Sequence, residues 1–401
     1  MAIIPRFSLS TTRRLAAGLT GYCVFLNLYA PQAILPLLSN EFGAGPADIA
    51  HIMTASTVAV ALTAPFTGTI ADVLGRKRVI VAAMLGIGLP TLMSALAPTL
   101  EVLMAWRFVQ GLLLPPVFAV MIAYISEEMP PDEAASTTGV FISGSSLGGF
   151  TGRFLTGILA DVWGWRPAFV VLTCMSFLAA IIVMLKLPRE RQFVRSSGFL
   201  EAGRQMVRHL ANPQLLATFA VGFGVLFNFM ATFTYVSFHL AAAPFLLSAS
   251  ALGAIFATFL TGSIVTPWVG RGIEQFGRKN LVLGVIVIWC GGIALTLVPS
   301  LLAVIVGLAV AAGCGMLCQA TSTGYVALTA QFGRSSAVGL YVTSFYVGGS
   351  FGAALGGVAW TLGRWPACAM MMMAMLAIML ATVAIGWSSS APQTPRPVER
   401  D

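Results

Sequence analysis

The chain of 401 residues is 58% hydrophobic and only 9% charged, with a mean hydropathy of +0.89. An ordinary soluble domain carries about 25% charged residues, so this composition excludes one and indicates an integral membrane protein. The formal charge of +8 does not point to nucleic acid, because the cations sit in short loops between apolar runs and form no continuous basic face.

Arg6, Arg13 and Arg14 precede the first apolar run, 15–38, which is too long for a signal-peptide core and contains Pro31 and Pro36; it is expected to be a retained helix. A bilayer span needs about 20 mostly apolar residues. Runs of that kind fall at 15–38, 47–71, 79–97, 101–126, 134–160 and 167–187 (helices 1 to 6). Six more fall at 214–239, 250–270, 281–298, 301–326, 337–360 and 366–387 (helices 7 to 12). The expected fold is all-α, with twelve transmembrane helices in two six-helix bundles, 1–187 and 214–387. Between them, in the linker 188–213, Phe199, Leu200, Met206, Val207 and Leu210 recur at helical spacing opposite Arg204 and Arg208. That is the pattern of an amphipathic helix lying on a membrane surface. The Ser- and Pro-rich tail, 388–401, is expected to be disordered.

With both termini cytoplasmic, 18 of the 22 Lys and Arg fall on the cytoplasmic side, and only Arg166 and Arg364 lie in outside loops. That bias sets the expected orientation, with both termini inside. The six cysteines all lie inside apolar runs, so free thiols are expected and no disulfide framework. Met370 to Met373 point all round a helix and cannot converge on one ion, and no metal or cofactor site is expected.

Gly68-Thr-Ile-Ala-Asp72-Val-Leu-Gly75-Arg76-Lys77-Arg78 turns helix 2 into helix 3. Gly68 and Gly75 would allow close helix approach and a tight reversal, and Asp72 needs a cationic or helix-N-terminal partner. The pattern returns 202 residues later as Gly270-Arg-Gly-Ile-Glu274-Gln-Phe-Gly277-Arg278-Lys279-Asn280. Gly139, Gly148, Gly149, Gly152 and Gly157 of helix 5 likewise recur 200 residues on in helix 11. The chain therefore reads as two homologous halves. The second differs by Glu274 for Asp72 and Asn280 for Arg78.

Ionisable residues inside a membrane are candidates for function. Deep in the spans there are only Arg107 in helix 4 and Arg153 in helix 5, and no Asp or Glu. Their repeat partners are Ala309 and Ala353, so the fold itself does not require arginine at either place. Either arginine could face a cavity and favour an anionic or strongly polar substrate. The competing reading is that Arg107 bonds carbonyls freed by Pro31 and Pro36 while Arg153 packs between helices. Asn27, Tyr29 and Gln32 of helix 1, Asn228 and Tyr235 of helix 7, and Gln319 and Tyr325 of helix 10 are cavity candidates, with interhelical hydrogen bonding as their rival role. His51, His239 and Asp72 are the candidates for coupling to protons. An enzyme is not expected, because the three histidines have no nearby acid in their spans, and no P-loop points to ATP.

With these residues the chain resembles the major facilitator superfamily, in its twelve-helix drug:proton antiporter-like branch. Gly68–Arg78 resembles the family's loop 2–3 motif and Arg107-Phe-Val-Gln110-Gly111 its helix-4 motif. Ser143-Gly-Ser-Ser-Leu-Gly148-Gly149-Phe-Thr-Gly152-Arg153 and Tyr346-Val-Gly348-Gly349 point to the branch. One departure weakens the inference of proton antiport: Ser145, not proline, follows Gly144. The resemblance implies two bundles around a cavity that opens alternately to each side, and most directly proton-coupled efflux of small molecules. The alternative is uptake or facilitated transport of a polar or anionic metabolite. It also implies that Asp72 meets the start of helix 11, with Arg76 near Glu127 or Glu128, as gating contacts that hold the outward-open state; Glu274 and Arg278 would be their counterparts. The expected partners are a small-molecule substrate, protons and the lipid bilayer, with no nucleic acid, and the protein is expected to be a monomer.

Overall fold

The computed structural model describes residues 9–190, 199–330 and 334–387, and these are 91% helical with no sheet. Ten stretches are long and apolar enough to cross a membrane by length and composition. The last of them, Ser336–Gly386, holds two helices, because Gly363 (φ −164°, ψ 28°) and Arg364 (φ 54°, ψ −146°) leave the helical region between them. Outside those ten, Pro131–Trp163 is a further 33-residue helix whose glycines, serines and Arg153 dilute its apolar content. Each of the twelve expected spans thus has a helical counterpart. The tail 388–401 lies outside the described residues, while the linker contains a helix at Phe199–Leu210, with Val207 and Leu210 exposed.

Several expected spans are not single helices, and proline explains most of the breaks. Helix 1 runs as Leu9–Tyr29, a 3₁₀ segment Ala30–Ile34, and Leu35–Phe42. Pro31 has no N–H to offer the carbonyl of Asn27, so the α-helical ladder stops there. Helix 4 is interrupted at Leu114, just before Pro115 and Pro116, but Leu114 keeps helical angles (φ −72°, ψ −48°), so the prolines interrupt the bonding without a turn. Helix 8 tightens to 3₁₀ geometry at Phe256–Phe259 and again at Thr266–Trp268, the second around Pro267. Helix 7, Pro213–Ala241, is continuous and almost wholly buried.

Glycine backbones join the helices pairwise. In helix 5 a β-carbon on Gly144, Gly148 or Gly152 would collide with the carbonyl of Gly18, Tyr22 or Leu26 in helix 1. In helix 11 the same holds for Gly348 and Gly352 against the carbonyls of Phe223 and Phe227 in helix 7. Such contacts are how small residues replace the hydrophobic effect inside a bilayer. Gly75 (φ 91°) and Gly277 (φ 75°) occupy positive φ at the two equivalent turns, where a side chain would be strained.

Candidate functional site

The break in helix 1 is held by two arginines from different sides. Arg107, fully buried, donates through Nη1 to the carbonyl of Asn27 (2.9 Å) and through Nη2 to that of Leu28 (2.5 Å). These are carbonyls at the edge of the 3₁₀ segment, where the α-helical donors are lost. Arg107 also donates to Gln110 Oε1. Gln110 in turn donates to Thr91 Oγ1 (2.6 Å), and Thr91 to Asn27 Oδ1 (2.9 Å). Asn27 Nδ2 closes the network on Ser176 Oγ (2.8 Å). Arg107 and Asn27 are therefore brought together inside the first bundle, with the guanidinium spent on helix 1. In this arrangement they are a strut rather than a cavity surface.

Arg153, 2% exposed, is placed differently. Its Nε donates to Gln32 Oε1 (2.8 Å) and its Nη1 to the carbonyl of Gly149 (2.8 Å). Three rings surround the guanidinium carbon: Tyr29 at 4.3 Å, Phe259 at 4.5 Å and Phe256 at 4.7 Å. Among the described residues no carboxylate pairs with it. The aromatic faces offset part of the cost of burying the charge, each by about 0.5–2 kcal/mol depending on desolvation. Nη2 donates to none of the described residues, so one edge of the fork has no partner among them. Tyr29 and Gln32 belong to the first bundle, Phe256 and Phe259 to the second. The cage therefore straddles the bundle interface.

Other contacts cross the same interface nearby. Gln32 Nε2 reaches Thr234 Oγ1 (3.5 Å), and Ser237 donates to the carbonyl of Gln32 (2.9 Å). Ser350 donates to Thr57 (2.9 Å), and a β-carbon on Gly357 would lie 2.9 Å from that of Ala47. At the outer end of helix 5, Asp161 accepts the backbone N–H groups of Ala249 (3.2 Å) and Ser250 (2.8 Å), the first residues of helix 8. Partial burial raises the Asp161 carboxyl, but the hydrogen bonds from Ser250, Ser248 and Ala249 together outweigh it and hold its pKa below the usual range. At the opposite, inner face, a β-carbon added to Gly68, Gly139 or Gly339 would meet nothing within 4 Å. The contacts named here thus join the bundles toward the Asp161 end, while the β-carbon positions of Gly68, Gly139 and Gly339 in helices 2, 5 and 11 face open space. At Gly68 itself a β-carbon would have open space, so no close helix approach is made there in this arrangement.

The 68–78 turn carries a charge cluster confined to the first bundle. Arg76 pairs with Asp72 (3.0 Å) four residues earlier and donates to both oxygens of Glu127 (2.5 and 2.6 Å). Among the described residues Asp72 forms no hydrogen bond or ion pair with helix 11; its partner is Arg76. The second turn is unlike the first: Glu274 is exposed and Arg278 lies over the Tyr325 ring (5.9 Å).

The remaining candidates scatter. Tyr235 donates to the carbonyl of Ala353 (2.6 Å), joining helices 7 and 11, and Asn228 Nδ2 bonds the carbonyl of Gly224 (2.8 Å) within helix 7. Gln319 is half-buried. His51 is exposed, and His239 lies flat on Trp365 with centroids 5.4 Å apart. Neither histidine is part of the Arg153 cage. Sequence reasoning missed Phe256, Phe259 and Asp161. The two phenylalanines are among 26 in the chain, and nothing local marks them as partners of a residue about 100 positions away. Gln110 had a signal, three residues after Arg107 on the same helix face.

Phe118 of helix 4 stacks on Tyr346 of helix 11 (6.2 Å), with Phe25 beside it (6.4 Å) and Phe25 next to Tyr29 (5.9 Å). Phe118 is ten residues from the inner end of helix 4, about 15 Å along it at 1.5 Å per residue. This aromatic layer therefore lies between the Arg153 cage and the inner face.

A sequence model of the Major Facilitator Superfamily matches residues 17–271. The inner membrane transport protein YnfM of Escherichia coli (strain K12) is 31% identical over 379 residues, 94% of this chain and 90% of that protein. An uncharacterized transporter of Buchnera aphidicola (subsp. Schizaphis graminum) is 29% identical over 352 residues, 88% of this chain and 85% of that one. Among solved structures, the nucleoside transporter NupG has a TM-score of 0.77 at 15% identity, covering 95% of this chain and 100% of that chain. A bacterial homologue of the human lysosomal transporter Spinster has a TM-score of 0.67 at 17% identity, covering 96% and 95%.

Proposed function

The chain belongs to the Major Facilitator Superfamily, and from that premise we propose that this membrane transporter exports a small anionic or strongly polar molecule in exchange for protons. It works by alternating access as a monomer in the inner membrane, with both termini cytoplasmic. The observation that carries the substrate class is Arg153: a buried guanidinium that pairs with no carboxylate and leaves one edge unspent among the described residues, at the seam between the bundles. Arginine's planar fork suits carboxylate or phosphate oxygens, and a low-dielectric surround strengthens the pairing.

The cage supports a route for coupling occupancy to conformation. When the outer half opens, Phe256 and Phe259 leave with the second bundle, and Arg153 keeps only Tyr29, Gln32 and Gly149. The charge then needs water or a substrate anion. A substrate bound at Nη2 therefore has different affinities in the two states, which is what shifts a two-state equilibrium. From the inner side it would reach Arg153 past Phe118 and Tyr346. Asp72 and Arg76 act at the inner latch, with Glu127 fixing Arg76; when the inner ends close, Asp72 meets helix 11 and Gly68 its neighbour. His51, His239 and Asp72 are the candidates for proton exchange, and Asp161, held ionised by its backbone donors, serves the outer seal instead.

Everted vesicles with an acidic interior test this reading. Aromatic and aliphatic carboxylates, neutral analogues and organic cations are offered outside. Accumulation of carboxylates that collapses with the pH gradient is expected. Preference for cations overturns the substrate class, and uptake unaffected by the gradient overturns proton exchange. Movement in the opposite direction would favour import.

A further inference from the structure

A cavity of about 740 Å³ opens on the first bundle beside the 68–78 turn, away from the bundle interface. Lys77, Arg78 and Arg189 line it at the cytoplasmic level, with Glu190 as its one acid among the described residues. Arg189 and Glu190 both lie near enough to act electrostatically on Lys77. Glu190 accepts the backbone N–H of Lys77 (3.3 Å) and abuts Gly75. The cavity keeps two cations in excess, and none of the three donates to a carboxylate side chain among the described residues. Its deeper wall is apolar, formed by Leu85 of helix 3 and Met184 of helix 6. Leu85 is eight residues beyond Lys77, about 12 Å along the helix at 1.5 Å per residue. The cavity thus reaches from headgroup level into acyl-chain depth.

We infer that this cavity holds one anionic phospholipid, its phosphate and headgroup among Lys77, Arg78 and Arg189 and an acyl chain along Leu85 and Met184. A soluble anion would use the cations but not the apolar wall, and a neutral lipid the wall but not the excess charge. Cytoplasmic-side basic pockets with access to the bilayer suit this class of ligand. Glu190 sets the geometry, since it ties the start of helix 3 to the segment leaving helix 6. An occupied cavity would therefore brace the turn from which Arg76 reaches Glu127.

The test is native mass spectrometry of the full chain in detergent, titrated with phosphatidylglycerol or phosphatidylcholine. Wild type is expected to retain one phosphatidylglycerol in preference to phosphatidylcholine. Each cation removed, in Lys77→Gln and Arg189→Gln, lowers that preference roughly five-fold, the effect of one basic residue near an anionic surface. Glu190→Gln raises it, and Arg364→Gln at the opposite face leaves it unchanged; monodisperse elution of each variant controls for folding. Equal retention of the two lipids by wild type, or unchanged preference in a variant carrying both Lys77→Gln and Arg189→Gln, overturns the site. Full displacement by millimolar inorganic phosphate would make it a soluble-anion site and overturn the lipid assignment.

Discussion

Helices 1 and 5 pack as helices 7 and 11 do, yet the two pairs differ in what they bury. Gly148 and Gly152 sit on the backbone of Tyr22 and Leu26 as Gly348 and Gly352 sit on Phe223 and Phe227. Through those contacts Asn27 matches Asn228, and each bonds the carbonyl four residues before it. The same register sets Pro31 opposite Thr232. Threonine has an N–H, so helix 7 runs unbroken, and Ala309 suffices where helix 4 carries Arg107. Proline breaks helix 1, and Arg107 takes the carbonyls left over. At the outer end of the pair, Arg153 stands where the second half has Ala353. The repeat dictates the packing, whereas the proline and the two arginines of the first half are additions to it.

The comparison is broken most severely at the glycines. Gly148→Leu and Gly348→Leu each drive a side chain into a backbone carbonyl, at a cost of about 3 kcal/mol or more. Both should fail to yield monodisperse protein by size-exclusion chromatography; a tolerated Gly348→Leu would show that the halves are not equivalent.

Arg107→Ala comes next. It leaves the carbonyls of Asn27 and Leu28 unpaired in a buried place, about 1–3 kcal/mol for each group. A lowered thermal midpoint is expected, and adding Pro31→Ala should recover part of the loss, because residue 31 then offers Asn27 an N–H. If Pro31→Ala gives no recovery, the strut reading of Arg107 fails.

Asp161→Asn weakens the cap on helix 8 by about 1 kcal/mol and should raise the outward-open population several-fold. Spin labels at 48 and 361, on the outer ends of helices 2 and 11, would report a longer distance. The pH dependence has a definite sign. Because its pKa is lowered, the Asp161 carboxylate stays in place at neutral pH, and its contribution is lost only as pH falls through that depressed value. Wild type should therefore match Asp161→Asn only in acid below the ordinary carboxylate range.

The smallest effect is predicted for Gly68→Ala, which meets nothing in this arrangement. Its melt should stay within about 0.5 kcal/mol of wild type, while transport slows because helix 11 must approach that position when the inner ends close.

Much of this was legible in the sequence. Twelve apolar runs, the glycine repeat and the turn at Gly75 follow from span length and backbone sterics. The use of Arg107 on carbonyls near Pro31 was one of two open readings, because a missing N–H is a local fact. The cage was not legible. Phe256 and Phe259 come from the other bundle, and only the tertiary fold brings them to Arg153. Asp161 was visible as an acid at a helix end, but its partners at Ala249 and Ser250 lie 88 and 89 residues away. The breaks in helix 8 were hidden too; Pro267 accounts for one, and nothing in the sequence marks the tightening at Phe256.

The central claim is that Arg153 meets the substrate. Transport of carboxylates in everted vesicles should be lost in Arg153→Ala and strongly reduced in Arg153→Lys, which keeps the charge but not the fork or the ring stacking, with both proteins folded and monodisperse. Wild-type transport rates in both variants would contradict it.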